Sequence, residues 1–200
     1  MNIEKTDKIV VTGGKGFLGR VVCKKLKSSG YNHIIELPGS RAPMALDLTK
    51  SLDVSCLFRN YQPSIIIHLA ARVGGIGANK ENPGSFFYEN MAMGLNLIEE
   101  ARKNNCKKFL LTSTVCSYPK FTPVPFKEED LWNGYPEETN APYGIAKKAL
   151  MEMLQAYRQQ YGLNGVTLIP VNMYGPGDNF DPDSSHVIPA LILKFKQAKA

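Results

Sequence analysis

Cysteine, histidine and tryptophan are scarce in this chain: four cysteines, three histidines and one tryptophan occur in 200 residues. There is no Cys-x-x-Cys pair, and no histidine stands at metal-ligand spacing. That excludes a zinc site of the usual kinds and a dense disulfide framework, so no metal is expected. Such cysteine usage suits a reduced, cytoplasmic compartment. No apolar run approaches the roughly 18 residues needed to cross a bilayer. Met1-Asn2-Ile3-Glu4-Lys5 opens without the apolar stretch of a secretory signal, so neither export nor a membrane partner is expected. Glycine and proline, 17 and 13 residues, are too few and scattered for a fibrous or low-complexity chain. Acidic residues are also short, 18 against 24 basic, for a net charge of +6. The basic excess lies in separate pairs (Lys24-Lys25, Lys107-Lys108, Lys147-Lys148) without a stripe of interleaved aromatics. No nucleic-acid partner is expected, and a small phosphate-bearing ligand explains the charge better.

What the chain does have is an apolar content of 44%, enough for one core and part of a second. Its apolar runs alternate in type. Ile9-Val10-Val11 reads as a strand, and Val21, Val22 and Leu26 as a helix that stops at Ser28-Ser29-Gly30. His33 to Leu37 reads as a second strand and Asp47 to Asn60 as a second helix. Ile65-Ile66-Ile67-His68-Leu69 shows no alternation, as expected of a strand covered on both faces. Pro83 to Asn104 reads as a long helix, Lys108 to Thr112 as a fourth strand, and Pro119 to Pro136 as a Pro-rich loop. A helix from Asn140 to Tyr161 and a strand from Gly165 to Val171 follow. The alternation predicts an α/β fold: a Rossmann-like, doubly wound parallel sheet with helices on both faces.

Gly13, Gly16 and Gly19 fall between the first strand and the first helix. Glycines there permit a tight turn, and let backbone approach a pyrophosphate whose charge sits on the helix N-terminus. In this strand–turn–helix setting they predict a dinucleotide site. A carboxylate for the ribose 2′-hydroxyl is expected about 20 residues on, at the tip of the second strand. Glu36 and Leu37 stand there, and neighbouring strand side chains face opposite ways. With Leu37 at the tip, no carboxylate serves the ribose. Lys15 in the turn and Arg41 after the strand are placed for a 2′-phosphate instead. NADP(H) is therefore the expected cofactor. Asp47 is expected to cap the second helix and to lie in reach of the adenine.

Tyr143 and Lys147 are four residues apart at the start of a helix and project from one face. A neighbouring ammonium favours the tyrosinate, which predicts a phenol with a lowered pKa. Thr114 follows the fourth strand, where an α/β sheet places its ligands. Its hydroxyl is placed to orient a substrate oxygen for Tyr143.

At these residues the chain resembles the extended short-chain dehydrogenase/reductase family. The carriers are Thr12 to Gly19, His68-Leu69-Ala70-Ala71, the turn from Thr114 to Tyr118, Tyr143-Gly144-Ile145-Ala146-Lys147, and Asn172-Met173-Tyr174-Gly175-Pro176. Arg72 to Ile76, Cys116 to Lys120, Asn172 to Phe180 and Ser185 to Ala190 are similar to one branch of it. That branch epimerises and then reduces GDP-linked 4-keto-6-deoxy sugars. The resemblance implies an NADPH-dependent enzyme, with a GDP-linked 4-keto-6-deoxy hexose as its partner and a homodimer as its assembly. It adds Phe17, Leu18, Leu69, Ala70, Ala71 and Asn172 to the cofactor-binding residues. It makes Thr114 the active-site hydroxyl, Tyr143 the proton donor to the C4 oxygen, and Lys147 its partner and a ribose contact. Cys116 and His186 match the acid/base pair of epimerisation. A thiol and an imidazole titrate near enough to neutrality for that work. Lys194 matches a cation near the sugar-nucleotide diphosphate, Asn172 a substrate or cofactor contact, and Asn90 a structural residue.

Composition changes after about Tyr174, at Gly175-Pro176-Gly177-Asp178. Residues 1–174 are expected to form the cofactor-binding domain with the catalytic set. Residues 175–200 are expected to begin a smaller C-terminal substrate-binding region. Relatives run on for about 100 residues more, so a fragment with an exposed apolar edge and reduced or no activity by itself is expected. Two alternatives remain: another sugar-nucleotide reductase or epimerase on this scaffold, and a nucleotide-binding module without catalysis. A dehydratase would carry carboxylates just after Thr114, where Val115 and Cys116 stand.

Overall fold

The apolar runs form one parallel sheet of β1 (Ile9–Thr12), β2 (Ile34–Glu36), β3 (Ile65–His68), β4 (Lys108–Thr112) and β5 (Gly165–Leu168). The computed structural model describes residues 2–39, 46–181 and 185–199. Strand order among these is β2-β1-β3-β4-β5, and every pairing is parallel. All residues of β1 and β3 are buried, which is why neither strand alternates in sequence.

Each sheet face carries its own core. Val10, Ile66, Phe109 and Leu111 point to one side. There they meet α2 (Ser51–Tyr61), α4 (Pro83–Lys103) and α5 (Ala141–Tyr161), with α3 (Ile76–Glu81) preceding α4. Ile9, Val11, Ile65 and Ile67 point to the other side, against Cys23, Val22 and Leu26 of α1 (Phe17–Ser28). This is the expected doubly wound arrangement. The chain leaves β1 in one direction to β2 and returns past it to β3. The carboxyl ends of β1 and β3 therefore flank a switch point, where such sheets bind ligands.

The remaining boundaries follow local chemistry. Proline stands in the first turn of both α4 and α5, where its missing N–H costs nothing. Gly162 ends α5 in the left-handed region at φ 72°. β5 stops at Leu168, opposite Thr112 at the end of β4, three residues short of the expected Val171. Beyond it Pro170 offers no N–H to a ladder. The glycine-rich Gly74-Gly75-Ile76-Gly77 nevertheless starts the short helix α3, unanticipated from sequence. The Pro-rich loop holds a 3₁₀ turn at Glu128–Trp132. α6 (Val187–Lys199) closes the described chain.

Asp47 does not cap α2, which starts four residues later behind Lys50. The Asp47 carboxylate accepts the Thr49 N–H at 3.0 Å and the Thr49 hydroxyl at 2.6 Å. These bonds bend the backbone into a turn before the helix can begin, the usual competition of aspartate with helix.

Candidate active site

The glycine turn is built for close approach. Gly13 has φ +68°, and a Cβ on it would stand 3.1 Å from the Ala70 nitrogen. A Cβ on Gly19 would stand 2.1 Å from the Gly13 carbonyl oxygen, so α1 lies directly against the turn. Gly16 precedes α1, whose first turn has neither a capping side chain nor an acidic residue. Its N–H groups are left for an anion. Lys15 is exposed beside them, and Phe17 and Leu18 are half-buried in the first turn. Across the switch point, the Ala70 N–H donates to the Thr12 hydroxyl at 3.1 Å, next to Leu69 and Ala71. The residues present thus fit a dinucleotide pyrophosphate.

At the tip of β2 the one carboxylate is engaged by a lysine. Leu37 is buried in the core, and Glu36 turns to Lys27 of α1 at 2.5 Å. Arg41, the second expected phosphate contact, lies outside the described residues.

Beyond β4 the chain makes a tight 3₁₀ turn, Val115–Ser117, in which Thr114 accepts the Cys116 N–H at 3.1 Å. Tyr143 and Lys147 face this turn from the first turns of α5. The Thr114 hydroxyl hydrogen-bonds Tyr143, and Cys116 lies near enough for its charge to bear on the phenol. Lys147 is 1% exposed and donates to the Thr112 carbonyl at 3.0 Å. Burial brings its ammonium down to about 8.

The phenol moves opposite to expectation. Burial pushes Tyr143 above its ordinary value, and the Cys116 charge pushes the same way against the Thr114 hydrogen bond. Desolvation is the largest cause, and the described bond of the ammonium one turn away goes to the Thr112 carbonyl. At neutral pH, Tyr143 is therefore a proton donor and Lys147 a cation. The pair is set to protonate a developing alkoxide.

Thr114, Cys116, Tyr143 and Lys147 thus come together. Asn172, His186 and Lys194 are exposed. Among the described residues their side chains hold no hydrogen bond or ion pair. Two points meet the site from the side: the Ser185 carbonyl lies beside Gly75, and Gly175 lies against the Phe17 ring. Tyr174, Pro176, Phe180, Ile188 and Ile192 line an apolar cleft of about 240 Å³ there. Asn90 is fully buried and clamps the loop after β3. It accepts the Arg72 N–H at 3.0 Å and donates to the Arg72 carbonyl at 3.0 Å.

Two contacts had no counterpart in the sequence reading. The Ser117 hydroxyl donates to the Gly144 carbonyl at 3.0 Å. The Thr12 hydroxyl lies 2.8 Å from Nδ1 of the wholly buried His68. A serine beside Cys116 and a glycine inside the Tyr-to-Lys spacing were the only signals of the first.

Residues 9–200 match the NAD dependent epimerase/dehydratase family. The putative GDP-L-fucose synthase 2 of Arabidopsis thaliana is 40% identical over 198 residues, covering 99% of this chain and 59% of that protein. The GDP-L-fucose synthase of Sinorhizobium fredii is 41% identical over 192 residues, covering 96% and 60%. Among solved structures, a GDP-D-glycero-L-gluco-heptose synthase from Campylobacter jejuni, solved in the presence of NADPH, aligns with a TM-score of 0.91 at 33% identity. That alignment covers 99% of this chain and 57% of the other. The chain thus spans about three fifths of the length of the curated relatives it matches. With the glycine turn at its switch point, the Tyr143–Lys147 pair on α5 and a match over nearly its whole length, the chain belongs to the NAD dependent epimerase/dehydratase family.

Proposed function

We propose that this chain carries the cofactor site and catalytic set for NADPH-dependent 3,5-epimerisation and 4-reduction of a GDP-linked 4-keto-6-deoxy hexose. The observation that carries the reading is Cys116 beside a protonated Tyr143, with Lys147 and Thr114 on the same group. Relatives named GDP-L-fucose synthase and the NADPH-containing neighbour support the same substrate class and cofactor.

Gly13, Gly16 and Gly19 take the pyrophosphate, with Phe17, Leu18, Leu69, Ala70 and Ala71 around it. Lys15 takes the 2′-phosphate, and Lys147 also holds the ribose. NADPH, when bound, supplies the hydride. Protons on C3 and C5 are acidic because the enolate places charge on the C4 oxygen. Cys116 and His186 remove and return these protons from opposite faces. Thr114 and Tyr143 donate to the C4 oxygen as that charge develops. Tyr143 then gives its proton to the C4 oxygen as the alcohol forms. Asn172 contacts the substrate beside the cofactor, and Lys194 on α6 pairs with the diphosphate.

We place the cofactor unit in residues 1–174 and the start of the substrate region in 175–200. Phe87, Tyr88 and Leu95 on α4 are exposed apolar side chains that suit a homodimer. No described helix is long and apolar enough to cross a membrane, and the four cysteines are free, as suits the cytoplasm. The test supplies GDP-4-keto-6-deoxy-mannose and NADPH and follows the nicotinamide absorbance. Oxidation by the full-length protein that Tyr143→Phe abolishes is expected, and none with the full-length protein refutes the reading. A GDP-linked keto-heptose in a parallel assay checks the second reading, another sugar-nucleotide reductase, which the heptose synthase neighbour favours.

A further inference from the structure

We propose that Ser117 is a positioning residue that sets the distance between the Cys116 turn and the Tyr143–Lys147 helix. Ser117 is fully buried, and its hydroxyl donates to the Gly144 carbonyl at 3.0 Å, across 27 residues of chain. Gly144 sits inside the Tyr143-to-Lys147 spacing. A Cβ there would stand 2.3 Å from the Cys116 carbonyl oxygen and 2.9 Å from its carbon. Glycine is a poor residue for a helix, and at this one it lets the helix backbone reach the turn. Apart from the bond between the Thr114 hydroxyl and Tyr143 at its start, the other hydrogen bonds of the turn run within it. Ser117 N–H reaches the Thr114 carbonyl at 3.1 Å, and Cys116 N–H the Thr114 hydroxyl at 3.1 Å. The Ser117–Gly144 link therefore ties the Cys116 side of the turn to α5, as the Thr114–Tyr143 bond ties its start.

The consequence rests on the proposed function. Cys116 works on the carbons flanking C4, whereas Tyr143 works on the C4 oxygen. Both steps use one substrate pose, so the spacing of the thiol from the phenol must be held closely. Tyr143 and Lys147 keep their mutual geometry from the helix itself. Losing the Ser117 bond loosens the Cys116 side of the turn and leaves that pair in place. The helix also keeps its own bond to the Gly144 carbonyl, so no acceptor is stranded.

The test compares the unaltered chain with Ser117→Ala and with Gly144→Ala, which presses on the same contact from the helix side. The first readout is alkylation of Cys116 by iodoacetamide, followed on its own peptide by mass spectrometry. Both variants are expected to change that rate by about threefold or more. The second readout is solvent deuterium incorporation at C3 and C5 of GDP-4-keto-6-deoxy-mannose, with NADPH affinity measured alongside. Ser117→Ala is expected to lower incorporation about tenfold and keep NADPH affinity within about twofold. An unchanged Cys116 rate in both variants overturns the proposal. So does an equal loss of incorporation and NADPH affinity, the mark of a general loosening. No incorporation in the unaltered full-length protein refutes the proposed function instead, and the alkylation rates still decide the coupling.

Discussion

Lys27 of α1 holds the Glu36 carboxylate at 2.5 Å. The one carboxylate at the tip of β2 is thus already paired with a lysine, and Leu37 next door is buried in the core. The only described cation of the turn is Lys15. Lys15→Ala is expected to weaken NADPH about tenfold and NADH less than twofold, in fluorescence titrations of each. Equal weakening of both would show that Lys15 does not read the 2′-phosphate.

Lys147 is held against its own hydration. Its ammonium sits near 8 in the fold, against about 10.4 in an unfolded chain. The unfolded state therefore binds more protons between those values, and stability rises with pH across that window. Below pH 8 the burial cost is fully present, about 3 kcal/mol by this difference. Lys147→Met is expected to raise the melting temperature at pH 7 while abolishing reduction. The stability gain should shrink as pH climbs from about 8 to 10.4. A variant less stable than the parent at pH 7 would mean that the bond to Thr112 outweighs desolvation.

Much of this arrangement was legible before folding. The Lys108–Thr112 strand was read to the residue, because its neighbours are sharp breaks in pattern. The glycine turn and the Tyr143–Lys147 pair were equally readable, since both are local spacings. Asp47 misled because aspartate can close a turn as readily as cap a helix. The direction of the Tyr143 shift was hidden, because burial is set by the β4 turn and α5 together. Ser117 and Gly144 were silent for the same reason: their bond spans 27 residues.

Asp7 offers a stability test far from the site, at the opposite end of the sheet. It is 5% exposed, accepts the Glu4 N–H at 2.8 Å and pairs with Lys107 at 2.7 Å. Burial alone would raise its carboxyl. The bonds from Glu4, Lys107 and Ser64 outweigh that and hold it below the ordinary value. Its contribution is therefore present above the unfolded pKa of about 3.9 and lost as pH falls through the folded one. Asp7→Asn is expected to cost about 1–3 kcal/mol at pH 7 in urea unfolding. The deficit should vanish in acid, and NADPH affinity should not change. A deficit that persists below the folded pKa would place the loss in packing instead of charge.

The α4–α5 contact gives the opposite kind of test, one of volume. Gly94 on α4 faces the fully buried Leu150 of α5. A Cβ at Gly94 would lie 2.2 Å from one Leu150 methyl, 2.5 Å from the other and 2.9 Å from Cγ. Alanine favours a helix over glycine by about 1 kcal/mol, so propensity alone predicts a more stable protein. Here the whole branched end of a core side chain must move, and overpacking of that kind costs about 1–3 kcal/mol. Gly94→Ala is expected to be net destabilising in urea or thermal unfolding. Leu150→Ala alone should also destabilise, by about 2–5 kcal/mol through its cavity. Because the new methyl enters that cavity, the double variant should lose clearly less than the sum of the two. Strict additivity would mean that the helices part to admit the methyl without Leu150 yielding.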